Sequence, residues 1–235
     1  MIKNLSFNFQ SSNAKFFSLT LPLDESKMKS MQSWLPNSLK NAHQKRQNEF
    51  LAGRYCAIQA AKQLNVDLLT LPINPHDRAP EWPENLTGSL SHSKKMAIAA
   101  VALRIKGLMI GVDLENIISL ERVEIIEGIV ASKNELKIIH AFSRPDKLSL
   151  YTLLFSAKES IYKALYPFCQ TFINFEEVEM IQLDLSKADC ILKLTSQRNE
   201  LHSFQGEYRI QFKFYENSVI TFTESIFDSF RGSHD

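Results

Sequence analysis

Hydrophobic and polar positions along this chain change period several times, and each change marks an element. Leu5, Phe7 and Phe9 alternate, and Phe16-Phe17-Ser18-Leu19 follows, so residues 4–21 are predicted to be extended. From Ser38 to Leu64 the spacing turns helical, with Phe50, Arg54, Ala57, Ile58 and Ala61 on one side. Four prolines between Leu71 and Pro83 make that stretch an irregular loop. Strand-like runs follow at Leu86–His92, Met96–Leu103 and Leu108–Leu114, the last two joined by a Lys106-Gly107 turn. Helical runs are predicted over 119–130, 132–142 and 146–166, with Pro145 suited to the start of the third. Strands near 177–183, 190–195, 207–215 and 218–224 complete the pattern. Each half thus reads as helices followed by a meander of strands.

The helix over 146–166 is the most instructive. Leu150, Leu153, Leu154, Ala157, Ile161, Ala164 and Leu165 form one stripe at the 3.6-residue period, and Tyr151, Phe155 and Tyr162 form a second. Only a narrow polar line remains, Thr152, Ser156, Glu159 and Lys163. A helix apolar over most of its girth is buried, so this line should face a cleft or a partner.

Composition narrows the picture. The chain has 235 residues, 44% of them hydrophobic and 23% charged, with a net charge of +1, which gives no reason to expect bulk nucleic-acid binding. Any anion site must therefore be local. Cys56, Cys169 and Cys190 have neither disulfide nor zinc spacing, the first residues lack a signal-peptide core, and Met96–Leu103 is the longest apolar stretch. A reduced, cytoplasmic protein without a membrane span is expected.

Candidate chemistry concentrates in a few places. Asp113 and Glu115 lie two apart in a strand, so both carboxylates leave the same face. Glu159 and Lys163 lie four apart on one helix face. Three carboxylates and a lysine suit a magnesium-bound pyrophosphate, because magnesium takes oxygen ligands from carboxylates, phosphates and water. The plainer alternatives are an i, i+4 ion pair and a solvated strand end. Arg54 lies on the apolar helix face with Arg46 further back on the same row, and a buried arginine requires an anion, either a structural carboxylate or a ligand phosphate. Gly88-Ser-Leu-Ser-His92 offers backbone N–H groups, the Ser91 hydroxyl and the His92 imidazole to a phosphate, although a core histidine is the commoner outcome. Arg78 lies in the proline-rich loop just upstream.

Four segments in this order resemble the 4′-phosphopantetheinyl transferases: Glu49-Phe-Leu-Ala-Gly-Arg54, Arg78-Ala-Pro-Glu-Trp-Pro83 continuing to Gly88-Ser-Leu-Ser-His92, Gly111-Val-Asp-Leu-Glu115, and Phe155-Ser-Ala-Lys-Glu-Ser-Ile-Tyr-Lys163. The Phe-Leu-Ala-Gly-Arg and Trp-Pro elements are most similar to the enterobactin-synthetase component D branch, which serves siderophore peptide synthetases. The resemblance implies an α+β pseudo-dimer of two similar halves, residues 1–115 and 116–235. Each half would pack helices on an antiparallel sheet, with the active site in the cleft between them. It implies a monomer that moves the 4′-phosphopantetheine arm of coenzyme A to a serine of an apo peptidyl, aryl or acyl carrier protein, releasing 3′,5′-ADP. Carried over by motif, Asp113, Glu115 and Glu159 would be the magnesium ligands. Glu159 and Lys163 would serve the chemistry, and Arg46, Arg54, Arg78, Ser91, His92, Asp113 and Lys163 would meet coenzyme A. Ile117, Ile118, Leu120 and Val123 read as core, or alternatively as an apolar patch for a carrier helix. The alternatives are a holo-acyl-carrier-protein synthase for fatty-acid or polyketide synthesis and, more remotely, a non-catalytic coenzyme A- or carrier-binding module. No P-loop motif supports a nucleotide kinase.

Overall fold

A computed structural model describes residue 7 and residues 9–227; Leu5 of the first extended run lies outside them. The chain divides into two compact units, Met1–Arg104 and Ile105–Asp235.

In the first unit, β1 (Lys15–Thr20), β2 (Leu86–His92) and β3 (Met96–Leu103) form an antiparallel sheet in the order β1-β3-β2. Extended structure therefore occupies only the end of the predicted 4–21 run among the described residues. A short helix α1 (Glu25–Ser30) precedes the long α2 (Gln44–Lys62), which starts later than the periodicity implied. His43 has an extended backbone that interrupts the helix, and Asn37–Leu39 upstream forms a separate 3₁₀ turn. Ala97, Ala99 and Val101 of β3 pack with Leu51, Ala52, Cys56 and Ala57 of α2, and these small side chains permit a close helix–sheet approach. Residues 71–83 form a loop tied by an Ile73–Pro80 bridge.

The second unit opens with β4 (Leu108–Asn116), a 3₁₀ turn (Leu120–Arg122) and a single helical turn α3 (Val123–Ile125). A π turn (Ile126–Val130), α4 (Lys133–His140) and α5 (Lys147–Cys169) follow. A 3₁₀ turn (Phe175–Glu177), β5 (Val178–Asp184), β6 (Asp189–Leu194), α6 (Asn199–His202), β7 (Gly206–Tyr215) and β8 (Ser218–Ile226) complete it. The antiparallel sheet runs β4-β8-β7-β6-β5. β4 is paired along its length with β8, so the strand carrying the acid pair belongs to this unit.

The predicted single helix over 119–130 is broken. Ala131 N–H reaches back five residues to the Ile126 carbonyl, and this wide turn buries Ile126 and Val130 while Leu120, Ile125 and Ile129 stay exposed. Ser132 then caps α4 in a reciprocal box with Glu135. The start of α5 is fixed by Asp146, whose carboxylate accepts from the Ser149 amide (3.1 Å) and hydroxyl (2.9 Å). Its apolar stripe, Leu150, Leu153, Leu154, Ala157, Ile161 and Leu165, is buried with Met180, Leu192, Ile210 and Val219 of the sheet. Each fully buried leucine or isoleucine stabilises by roughly 1.5–3 kcal/mol. Both units are thus a long helix on an antiparallel sheet, the expected α+β class.

Candidate active site

The acidic chemistry assembles where α5 crosses β4. That crossing is close because Gly111 has no side chain: a Cβ there would lie 1.9 Å from the Ser160 carbonyl oxygen. Two residues on, Asp113 leaves the same face of β4 and is almost wholly buried against α5. Lys163 donates to its Oδ1 at 2.5 Å, and the Ser156 hydroxyl donates to its Oδ2 at 2.7 Å. Asp113 faces Thr221 across the β4–β8 ladder. The Thr221 hydroxyl donates to the Ser156 carbonyl at 2.9 Å and lies 2.6 Å from the Ser160 hydroxyl. A buried hydroxyl chain therefore holds the Asp113 carboxylate from behind.

Glu115 and Glu159 complete the cluster. Burial pushes the Glu115 carboxyl up to about 7, Asp113 and Glu159 add to this, and Lys163 and Arg122 oppose it. Burial likewise raises Glu159, with Asp113 adding and Lys163 opposing. The three acids thus feel one another, and one lysine does not neutralise them. Lys163 is turned to Asp113, so it is more than an i, i+4 partner for Glu159. Beside Glu159 a cavity of about 120 Å³ is walled by Tyr162, Phe172, Ile173 and Phe175.

The cluster fits magnesium in its chemistry: its donors are oxygen only, mutually repelling and partly desolvated. Among the described residues no three Asp, Glu, His or Cys side chains form a ready-made metal cage. Magnesium takes part of its coordination from water and substrate phosphate, so acids that do not close a cage by themselves are compatible with it.

The basic candidates lie in the first unit. Arg46 Nη1 is 3.2 Å from His92 Nε2 and 3.6 Å from the Glu49 carboxylate, and His92 Nδ1 is 3.9 Å from the same carboxylate. Arg54 is buried over the Phe50 ring, 4.0 Å from its centroid, and donates through Nε to the Leu71 carbonyl. Its Nη2 is a buried donor without a hydrogen-bond partner among the described residues, and burial with the Arg46 charge pulls the guanidinium down to about 10. The aromatic ring and a carbonyl thus hold part of a charge for which a structural carboxylate was one expected partner. Arg78 is exposed, with φ of 64°. The Gly88–His92 segment is paired strand rather than an open cradle, each residue in register with β3. Ser91 and His92 consequently leave opposite faces, and His92 joins Arg46. Leu120 is 77% exposed and so is not core, whereas Ile118 and Val123 pack partly against it.

Sequence reasoning missed Lys158 and Glu135. They form an ion pair of 2.9 Å with side-chain exposures of 2% and 0%. Ser160 and Thr221 were also missed; a polar residue inside a strand or an apolar helix face was the available signal.

The model of the 4′-phosphopantetheinyl transferase N-terminal domain matches residues 35–102, and that of the 4′-phosphopantetheinyl transferase superfamily matches residues 109–221. Enterobactin synthase component D of Salmonella austin is 32% identical over 203 residues, covering 82% of this chain and 78% of that protein. The corresponding protein of Salmonella typhi is 38% identical over 133 residues, 56% of this chain and 54% of its own. The 4′-phosphopantetheinyl transferase Svp of Streptomyces mobaraensis is 36% identical over 142 residues, 58% of this chain and 54% of its own. The chain therefore belongs to the 4′-phosphopantetheinyl transferase superfamily. Its matches span about half the length of the Salmonella typhi and Streptomyces relatives. Among the described residues no helix is long and apolar enough to cross a membrane.

Proposed function

We propose that this protein transfers the 4′-phosphopantetheine arm of coenzyme A to a serine hydroxyl of an apo carrier protein, releasing 3′,5′-ADP. The observation that carries this reading is the Lys163–Asp113 ion pair where α5 crosses β4, which brings the helix of Glu159 and Lys163 against the strand of Asp113 and Glu115. Asp113, Glu115 and Glu159 would hold magnesium, which when bound neutralises pyrophosphate charge and aligns its oxygens. Glu159 takes the proton from the serine hydroxyl, directly or through water, and burial raises its proton affinity in the direction a base requires. The serine oxygen forms its bond to the phosphorus that bears pantetheine, and the bond from that phosphorus to 3′,5′-ADP breaks. Lys163 steadies the departing phosphate. Arg46 and His92, with Arg54, Arg78 and Ser91 as further candidates, supply cationic and polar contacts for the coenzyme A phosphates.

The carrier is proposed to belong to a siderophore peptide synthetase, by likeness to the enterobactin synthase relatives. A near-neutral net charge gives no reason to expect bulk nucleic-acid binding, three free cysteines suit a reducing cytoplasm, and a monomer is proposed from the family resemblance alone. The test is incubation with coenzyme A, magnesium and several apo carrier proteins. A mass gain of one phosphopantetheine on a carrier supports the reaction, and comparison of siderophore with fatty-acid carriers assigns the pathway. Glu159→Gln should abolish labelling while the protein stays folded; near-normal labelling by that variant rejects Glu159 as the base.

A further inference from the structure

Lys158 precedes the candidate base directly, yet its ammonium is turned inward. It makes three hydrogen bonds, to Glu135 Oε2 (2.9 Å), the Val130 carbonyl (2.7 Å) and the Phe175 carbonyl (2.9 Å). An ammonium has three donors, so every one is used. Glu135 in turn accepts from the Ser132 amide (2.7 Å) and the Met180 amide (2.7 Å). One ion pair therefore joins α5 to the π turn, the start of α4, the turn at Phe175 and β5. Buried ion pairs are poor devices for stability alone, because an apolar pair of similar size often does as well. What directed bonds supply is a unique geometry.

Two features of the candidate site depend on that geometry. Glu159 is the next residue on α5, so fixing Lys158 fixes the rotation of the helix about its axis and with it the direction of the Glu159 carboxylate. Phe175 forms one wall of the cavity beside Glu159, and Lys158 holds its carbonyl from inside. The same segment is tied from the other side by Arg198, which donates to the Phe172 carbonyl (2.9 Å) and the Thr171 hydroxyl (2.6 Å).

We propose that Lys158, paired with Glu135, is a positioning residue for transfer: it sets the direction of Glu159 and the place of the Phe172–Phe175 wall. This rests on the transfer reaction proposed above. The test compares wild type, Glu135→Gln and the double variant Glu135→Gln/Lys158→Met in the full chain. Measured would be kcat and KM for coenzyme A, near-UV circular dichroism, and amide hydrogen exchange. Folded variants should lose on the order of 100-fold in kcat, the scale of a misplacement near 1 Å, with KM little changed. Exchange should quicken over residues 172–178 while the middle of α5 stays protected. Wild-type kcat and exchange in the folded variants would overturn the proposal, as would a kcat loss that merely tracks the unfolded fraction. If the double variant does not fold, Glu135→Gln alone decides between these outcomes, and failure of both to fold assigns the pair a purely structural role. Absence of transfer by wild type itself would count against the reaction instead, and the exchange measurement would still show whether the pair pins the wall.

Discussion

Gly111→Ala offers the sharpest test of how the acid cluster is built. The new Cβ would stand 1.9 Å from the Ser160 carbonyl oxygen, 2.8 Å from its carbonyl carbon and 3.1 Å from the Ala164 Cβ. Ordinary contact begins at 3.4 Å, and the obstructing atoms belong to helix backbone, so no side chain can swing aside. Helix α5 would have to retreat from β4. Overpacking costs about 1–3 kcal/mol where neighbours adjust, so a loss near the upper end, about 3 kcal/mol, is expected. Because Glu159 adjoins Ser160, the retreat would also draw Glu159 and Lys163 away from Asp113 and slow transfer. Urea unfolding followed by far-UV circular dichroism measures the stability, with midpoints compared at equal slope. Gly128→Ala is the matched control: a Cβ there meets nothing within 4 Å, and stability should hold or rise by about 0.4–1 kcal/mol. If Gly111→Ala unfolded within about 0.5 kcal/mol of wild type, below the cost of ordinary overpacking, the close approach of α5 to β4 would be wrong.

Two further outcomes are expected. Hydrogen bonds from Ser149 hold the Asp146 carboxyl below its ordinary value of 3.8, so its capping contribution is present above that pH and is lost as pH falls through the lower folded value. Asp146→Ala should therefore cost about 1 kcal/mol at neutral pH, with the gap to wild type closing in acid; an equal gap at both ends of a urea–pH series contradicts the cap. Leu120→Asp should fold normally, because Leu120 is 77% exposed, and should weaken capture of an apo carrier protein in a binding titration. Unchanged carrier affinity would remove this residue from the docking surface.

Parts of this architecture are written locally in the chain and parts are not. The period-two placement of Asp113 and Glu115 and the narrow polar line of α5 are short-range patterns, so the candidate residues that meet where α5 crosses β4 could be read directly. Arg54 was half legible: its place on an apolar face one turn from Phe50 implied a burdened charge, but the Leu71 carbonyl that accepts from it lies in a loop beyond the helix. The Lys158–Glu135 pair was invisible, since Glu135 sits in a short amphipathic helix where an acid ordinarily faces water. Its burial follows only once the Ser132 and Met180 amides converge on it. The broken helix over 119–130 escaped for a similar reason, its wide turn being decided by which isoleucines find the core. Strand pairing likewise decided the fate of Gly88–His92: the strand itself was legible, but its register with β3, which uses up the backbone groups a phosphate cradle would need, was not.

The acidic cluster belongs entirely to the Ile105–Asp235 unit, while Arg46 and His92 belong to Met1–Arg104. On the proposed reading this division of labour would make the molecule modular under selection: substitutions upstream would retune the grip on a phosphorylated cofactor without touching the acids proposed to activate a hydroxyl. Drift in cofactor preference should accordingly accumulate in the first hundred residues, and a swap confined to that segment is the economical route to a changed specificity.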